Sequence, residues 1–160
     1  MSLVLRFATP EDVATILRFV RELAEFEREA DKVVATEALL HEAMFGERPV
    51  AEAVMAERDG EPLGMALFFH NFSTWTGWRG LYLEDLYVTP AARGSGVGKA
   101  LLSHLAAIAV DRGCSRFEWA VLNWNQKAID FYKAMGAEPM DEWIVNRVSG
   151  DALTRLAGRD

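Results

Sequence analysis

A glycine-rich segment between a predicted strand and a predicted helix is the part of the sequence best suited to chemistry. Its residues are Arg93, Gly94, Ser95, Gly96, Val97, Gly98 and Lys99. Glycines let the backbone take positive φ values and approach a ligand closely, and the unpaired amide hydrogens at a helix start point toward an anion. The segment therefore predicts a phosphate or pyrophosphate site, with a ligand-free glycine turn as the alternative.

Two familiar phosphate-binding motifs do not fit this segment. The dinucleotide fingerprint requires the spacing G-x-G-x-x-G, whereas the glycines here lie at positions 94, 96 and 98. The P-loop requires a glycine at the place of Arg93 and a Ser or Thr at the place of Ala100. Both motifs are therefore excluded.

The elements around the glycine segment have the pattern of one α/β (α+β) domain over residues 1–160. Helical spacing of apolar residues predicts helices after Thr9-Pro10, from Thr36 to Phe45, over 97–112 and from Asn125 to Met135. Strands are predicted at 3–8, 50–58, 63–70, 80–88, 115–122 and within 138–148, followed by a polar tail over 149–160. The predicted order is βααβββαβαβ.

Composition and charge exclude several classes of protein. The 160 residues carry 17 Lys and Arg against 24 Asp and Glu, a formal net charge of −7, so a nucleic-acid partner is disfavoured. The apolar helical stretch near residues 100–110 is too short to cross a bilayer, and the first residues lack the pattern of a secretory signal. With a single cysteine, Cys114, no internal disulfide is possible, and a cytoplasmic protein without a membrane partner is predicted. The three histidines have no ligand-like spacing with one another or with Cys114, so no metal site is predicted.

The segment from Arg93 to Gly98 resembles the acetyl-CoA motif of the GNAT acetyltransferase superfamily, in which Arg or Gln precedes G-x-G-x-G or G-x-G-x-A. Residues 83–88 and 123–133 are similar to the diamine (spermidine/spermine) N-acetyltransferase subfamily, and the resemblance runs from about residue 5 to residue 148. It implies a GNAT fold, which is a mixed, mostly antiparallel central sheet flanked by helices. It also implies acetyl transfer from acetyl-CoA directly to a primary amine of a small diamine or polyamine, by a homodimer.

The same resemblance assigns residues to acetyl-CoA. The backbone of Leu86, Tyr87 and Val88 would pair with the pantetheine arm as a strand pairs with a peptide. The pyrophosphate would lie on the glycine segment from Gly94 to Lys99, with Arg93 and Lys99 adding positive charge. From the start of the next helix, the arm would be contacted by Asn125, Gln126, Lys127 and Ala128.

Two residues are predicted to do the chemistry. An alkyl amine of pKa about 10.4 must lose a proton before it attacks the thioester, which at pH 7 costs roughly 4.6 kcal/mol. Glu84 is the candidate to accept this proton directly or through water, with a structural ion pair as the alternative. Asp85 is expected to face the opposite side of the strand, because side chains alternate. By resemblance Tyr132 is the general acid for the leaving thiolate, with a packed aromatic beside Phe131 as the alternative.

The acceptor site is assigned by resemblance to Phe26, Glu27 and Glu84, with the backbone of Glu118, Trp119 and Ala120. Negative charge there would attract an acceptor with several ammonium groups. The sequence departs from the subfamily where Phe26 replaces a tyrosine and where residues 138–143 shorten an acidic loop. A thialysine-like or lysine-like amino acid, a protein lysine or N-terminus, and a non-catalytic acyl-CoA-binding module therefore stay open.

Overall fold

A five-stranded sheet forms the centre of the computed structural model, which describes residues 2–159. In spatial order, which is also chain order, its strands are β1 (Val4–Phe7), β2 (Glu52–Arg58), β3 (Glu61–Ser73), β4 (Trp78–Val88) and β5 (Phe117–Trp119). Strands β1 to β4 pair antiparallel, and β5 pairs parallel to β4. The predicted mixed, mostly antiparallel sheet is confirmed.

Five helices accompany the strands: α1 (Val13–Phe26), α2 (Glu37–Phe45), α3 (Val97–Asp111), α4 (Gln126–Ala134) and α5 (Gly150–Leu156). Side-chain caps mark the starts of two of them. The Thr36 hydroxyl accepts a hydrogen bond of 3.2 Å from the Leu39 amide at α2, and Asn125 Oδ1 accepts one of 3.3 Å from the Ala128 amide at α4. These caps satisfy amide groups that a helix start leaves unpaired.

The chain divides into two compact units, one ending at Ala120 and the other beginning at Val121. The first unit contains the whole sheet with α1, α2 and α3, and the second contains α4 and α5. That residues 1–160 act as a single domain stays a prediction.

The first unit buries apolar residues on both faces of the sheet. Ile16 and Phe19 of α1 pack with Met65, Leu67 and Tyr87 of the strands in one core cluster, which Met44 of α2 joins. On the other face α3 covers β3 and β4 with the fully buried Leu101 and Leu105. The sheet is therefore fixed between helices, as a half-buried strand pattern requires.

A β-bulge interrupts the pairing of β3 with β4. Asp85 lies opposite Leu67 and Leu83 lies opposite Phe68, so Glu84 has no residue opposite it on β3. Directly paired residues share a face of the sheet, whereas consecutive residues on one strand have opposite faces. Leu83 and Asp85 therefore lie on different faces, and the alternation along β4 is inverted at Glu84.

The end of the chain differs from the predicted order. In the described part of the chain, residues 138–148 form no strand, and residues 150–156 of the predicted polar tail form α5. The β-branched run Ile144-Val145 predicts a strand, but a strand needs a neighbour for its hydrogen bonds, and the sheet ends at β5. Asp151 in the first turn and Arg155 in the last turn of α5 complement the helix dipole.

Candidate active site

The glycine segment leads from β4 into α3 with its main chain open to a ligand. Gly94 has φ of 80° and Gly96 has φ of 90°, values that L side chains rarely adopt. Gly96 is the residue before α3 and has no side chain to bond the first amides of the helix, which start at Val97. A methyl group added at either glycine would meet no atom within 4 Å. Open space therefore adjoins both glycines beside the positive end of α3, where an anion is favoured.

Arg93 fastens the start of this segment to the end of β4. Its Nε donates a hydrogen bond of 3.0 Å to the Val88 carbonyl. The guanidinium also lies over the rings of Phe26 and Tyr87, 5.6 Å and 5.7 Å from their centroids. Since Phe26 ends α1, one side chain links α1, β4 and the glycine segment.

Over its second half, the edge of β4 that faces β5 has no paired strand, although the Val88 carbonyl there accepts the bond from Arg93. Within the described residues, β5 pairs with β4 only over Leu81–Leu83. The Thr89 amide donates to the Leu63 carbonyl at 2.8 Å, so the alternation of an antiparallel pair directs the peptide groups of Leu86 and Val88 away from β3. These groups are placed to bond an extended chain laid beside the strand.

Tyr87 lies between these two residues, and the same alternation directs its own N–H and C=O toward β3. Its side chain is 3% exposed and belongs to the core cluster on the α1 face. Its hydroxyl lies 3.3 Å from Glu22 Oε1, to which it donates a hydrogen bond. The ring is therefore structural, in contrast to the peptide groups on either side of it.

Three carboxylates lie near one another where α1 ends beside the bulge. Burial, and then the charges of Glu84 and Glu27, raise the pKa of Asp85 to about 6. Burial, and then the charges of Glu29 and Glu84, also raise the pKa of Glu27. Glu84 itself is exposed. The site thus combines one accessible carboxylate with one that is mostly removed from water.

The expectation that Asp85 faces away from this site is wrong. The bulge places Asp85 opposite Leu67, a member of the core cluster on the α1 face, and the charge of Glu27 reaches it there. Strict alternation fails because the bulged strand carries one extra residue. The adjacent acidic pair Glu84-Asp85 inside an apolar run was the one signal in the sequence, since two neighbouring acids fit poorly on a regular buried strand.

The predicted acceptor residues on β5 lie next to β4. Glu118 is opposite Tyr82, and Asn71 Nδ2 donates a hydrogen bond of 3.3 Å to its Oε1. Burial, with the charges of Glu84 and Glu118, raises the pKa of Tyr82. Trp119 is opposite Leu83, and exposed Ala120 follows the strand. Glu118 therefore belongs to the negative surroundings of Tyr82.

The remaining predicted site residues lie in the second unit. Asn125 caps α4 through the Ala128 amide, and Gln126 Nε2 donates to Asp130 Oδ1 at 2.8 Å. Tyr132 is half-buried on α4, whereas Phe131 is 38% exposed, with the two ring centroids 5.6 Å apart. Lys127 is exposed.

Neither a metal-binding cluster nor a membrane-spanning helix occurs in the described part of the chain. No three or more His, Cys, Asp or Glu side chains of residues 2–159 are grouped so as to hold a metal ion. None of the helices in that range has the length and apolar character needed to cross a membrane.

Known proteins match this chain along nearly its whole length. It is 43% identical to the thialysine N-epsilon-acetyltransferase of Sus scrofa, with 99% of both chains covered. It is 31% identical to the L-ornithine N5-acetyltransferase of Arabidopsis thaliana, with 95% of this chain and 86% of the relative covered. Among solved structures, an integron cassette protein from the mobile metagenome of V. cholerae superimposes with a TM-score of 0.82 and 29% identity, covering 98% of each chain.

The family model of the acetyltransferase (GNAT) family matches residues 17–137, which include most of α1 and all of the bulge, the glycine segment and α4. Members of this family use acetyl-CoA as co-substrate, and the open glycine turn and free edge of β4 suit a diphosphate joined to an extended arm. The chain therefore belongs to the GNAT acetyltransferase family and is an acetyl-CoA-dependent N-acetyltransferase.

Proposed function

We propose that the enzyme acetylates the terminal primary amine of a small amino acid of the thialysine type. The observation that carries this proposal is the near full-length likeness to thialysine N-epsilon-acetyltransferases, joined by an L-ornithine N5-acetyltransferase. Both kinds of acceptor present an amine at the end of a flexible chain. This is the alternative among the acceptors considered from the sequence, where a diamine or polyamine came first.

The donor is held by the free main chain around the end of β4. The peptide groups of Leu86 and Val88 bond the pantetheine arm, and those of the glycine segment from Gly94 to Lys99 bond the diphosphate. Arg93 holds the turn to Val88 at 3.0 Å, and its charge and that of Lys99 favour the phosphates. By the family resemblance, the same arm would also be contacted by Asn125, Gln126, Lys127 and Ala128.

Glu84 and Tyr132 carry the two proton transfers. Glu84, exposed beside the bulge, receives the acceptor's ammonium group and takes up its proton directly or through water. The neutral amine attacks the thioester carbon, and a peptide N–H of β4 stabilises the charge on its oxygen. Tyr132 then donates a proton to the departing thiolate, because an ordinary thiol has a pKa of about 8.5 and binds a proton at neutral pH.

Diamines and polyamines are the second candidate acceptors. The carboxylates of Glu27, Glu84 and Asp85 are the observation that favours them, because each adds negative charge where a second ammonium group would lie. Phe26 at the end of α1 lacks a hydroxyl for a further polar contact, which favours the amino acid.

Acceptor choice is tested by measuring CoA release with acetyl-CoA and a panel of thialysine, lysine, ornithine, putrescine and spermidine. We expect the highest kcat/KM for thialysine or ornithine, and a large loss in Glu84→Gln. The exposed hairpin residue Glu61, changed to Gln, is the matched control and should leave every value unchanged. A spermidine kcat/KM above that of all three amino acids would contradict the proposed acceptor.

We also propose a homodimer in the cytoplasm, as the family resemblance implies. Sedimentation equilibrium should give twice the 17.9 kDa chain mass at micromolar concentration. A monomer mass across the concentrations used in assays would contradict the dimer.

A further inference from the structure

We infer that Asp85 is the carboxylate on which the acceptor's proton comes to rest, with Glu84 as the group that meets the ammonium. This inference rests on the proposed function and adds a residue to its mechanism. It starts from the bulge, which turns Asp85 onto the α1 face of the sheet, where Leu67 lies opposite it. Glu84 is the bulged residue, and its charge acts on Asp85, so a proton received at Glu84 can pass to Asp85 directly or through water.

The surroundings of Asp85 favour its protonated form. The charged groups that act on it are Glu84 from its own strand and Glu27 from the end of α1, and both are negative. From β3 it is faced by the apolar Leu67. Burial disfavours the ionised carboxylate further, so Asp85 is a stronger base than a carboxylate in water.

The rise in the pKa of Asp85 is large enough to affect the reaction. The pKa of Asp85 is raised from 3.8 to about 6, which narrows its gap to an alkyl amine of pKa about 10.4 by about 2 units. That narrowing corresponds to about a hundredfold larger equilibrium fraction of neutral amine in the site. A solvated carboxylate does not provide this gain.

Every bond and proton of the step is accounted for. One N–H bond of the ammonium breaks, and its proton is received at Glu84 and ends on the Asp85 carboxylate. The freed electron pair on nitrogen forms the C–N bond to the acetyl carbon. The C–S bond breaks with its electron pair remaining on sulfur, which takes a proton from Tyr132. A second N–H bond breaks as the amide forms, and its proton restores Tyr132 through solvent. Asp85 returns its proton to solvent after the products leave.

The test is the pH dependence of kcat/KM for thialysine in the wild type and in Asp85→Asn, followed by CoA release. We expect the wild type to lose activity below about pH 6 and the variant to be about a hundredfold slower near pH 7. The variant's rate should then rise about tenfold per pH unit, because only amine that is already neutral reacts. A variant with the wild-type rate and profile would overturn the role of Asp85.

A second variant keeps the test independent of the folding of Asp85→Asn. In Glu27→Gln a negative neighbour is removed while Asp85 remains, so the acid limb of kcat should move to lower pH. An acid limb that stays in place would overturn the inference, since the charge of Glu27 acts on Asp85. Wild-type enzyme that releases no CoA with any amine of the panel would overturn the proposed function as well, whereas an active wild type with unaltered variants overturns the role of Asp85 alone.

Discussion

Arg93 and Val88 are joined by a hydrogen bond of 3.0 Å from the guanidinium Nε to the main-chain carbonyl. The bond uses a peptide oxygen on the free edge of β4 and fixes the first residue of the glycine segment. The guanidinium therefore fastens the start of the glycine segment to the end of the strand that precedes it.

Arg93→Lys should weaken acetyl-CoA binding while leaving the chemical step intact. Lysine keeps the positive charge but cannot reproduce the planar group that bonds Val88 and covers Phe26 and Tyr87. We expect KM for acetyl-CoA to rise about tenfold and kcat to change by less than about twofold. Arg79→Lys is the matched control, because Arg79 also bonds a carbonyl but at the far end of β4. An unchanged KM for acetyl-CoA in Arg93→Lys would show that the contacts of Arg93 with Val88, Phe26 and Tyr87 are not needed for binding.

Gly96→Ala should cost both stability and donor affinity. At φ of 90° an alanine is strained by about 1–2 kcal/mol, even though its methyl group would meet no atom within 4 Å. Urea unfolding and calorimetric titration with CoA measure the two effects. Gly98→Ala is the control, since its added Cβ would make an ordinary contact of 3.7 Å with Val88 Cγ2. Equal losses in both variants would argue against a conformational cause.

Tyr132→Phe should lower kcat with little effect on either KM. The variant keeps the ring but lacks the hydroxyl that donates to the thiolate, so we expect about a tenfold to hundredfold loss. The exposed neighbour offers a control, Phe131→Leu, which should retain kcat. Full turnover of Tyr132→Phe at all pH values would refute the assignment.

Asp85→Asn should stabilise the fold at neutral and alkaline pH. The folded-state pKa of about 6 lies above the ordinary value of 3.8, so the stability linked to this group is complete below pH 3.8 and is lost as pH rises through 6. The asparagine side chain carries no charge at any pH. The free energy of unfolding of the variant should therefore exceed that of the wild type by about 3 kcal/mol above that range, with little difference near pH 4. Urea unfolding at several pH values measures the difference. A gain that does not depend on pH would contradict this cause.

Arg6→Gln should give the opposite pH dependence. Arg6 donates hydrogen bonds to both oxygens of Asp12 at 2.8 Å and 2.9 Å and to Glu57 at 3.1 Å. The hydrogen bonding from Arg6 is the main reason why the pKa of Asp12 is lowered. The stabilisation is present above the usual pKa of Asp12 and is lost as pH falls through its lowered pKa. We expect a loss of about 1 kcal/mol near neutral pH that shrinks on acidification, because the guanidinium is partly exposed to solvent. Thermal unfolding across this range checks it.

Much of the fold was predictable because its signals are local. Asp59-Gly60 predicts the turn between β2 and β3, and both residues have the positive φ that such a turn needs. Thr36 predicts the start of α2 and caps it. The glycines at 94 and 96 predict the turn before α3.

What the sequence did not predict depends on pairing between distant segments. The bulge at Glu84 arises from the register of β4 against β3, which cannot be read from either strand alone, and it decides the face on which Asp85 lies. The strand expected within 138–148 fails for the same kind of reason, because strand propensity does not supply a partner. Among the site residues, Glu27 and Glu84 were predicted and are near each other, and Asp85 was not.

The early end of β5 separates two tasks along one strand. In the proposed site the donor would bond peptide groups of β4 beyond Leu83, where β5 no longer pairs with it, and peptide groups are the same whichever side chains the strand carries. The acceptor, by contrast, would meet the side chains at the bulge and at the end of α1. Substitution at those few positions can therefore change the acceptor specificity while the affinity for the coenzyme stays the same. The same fold can thus evolve to acetylate different amines with an unchanged donor site.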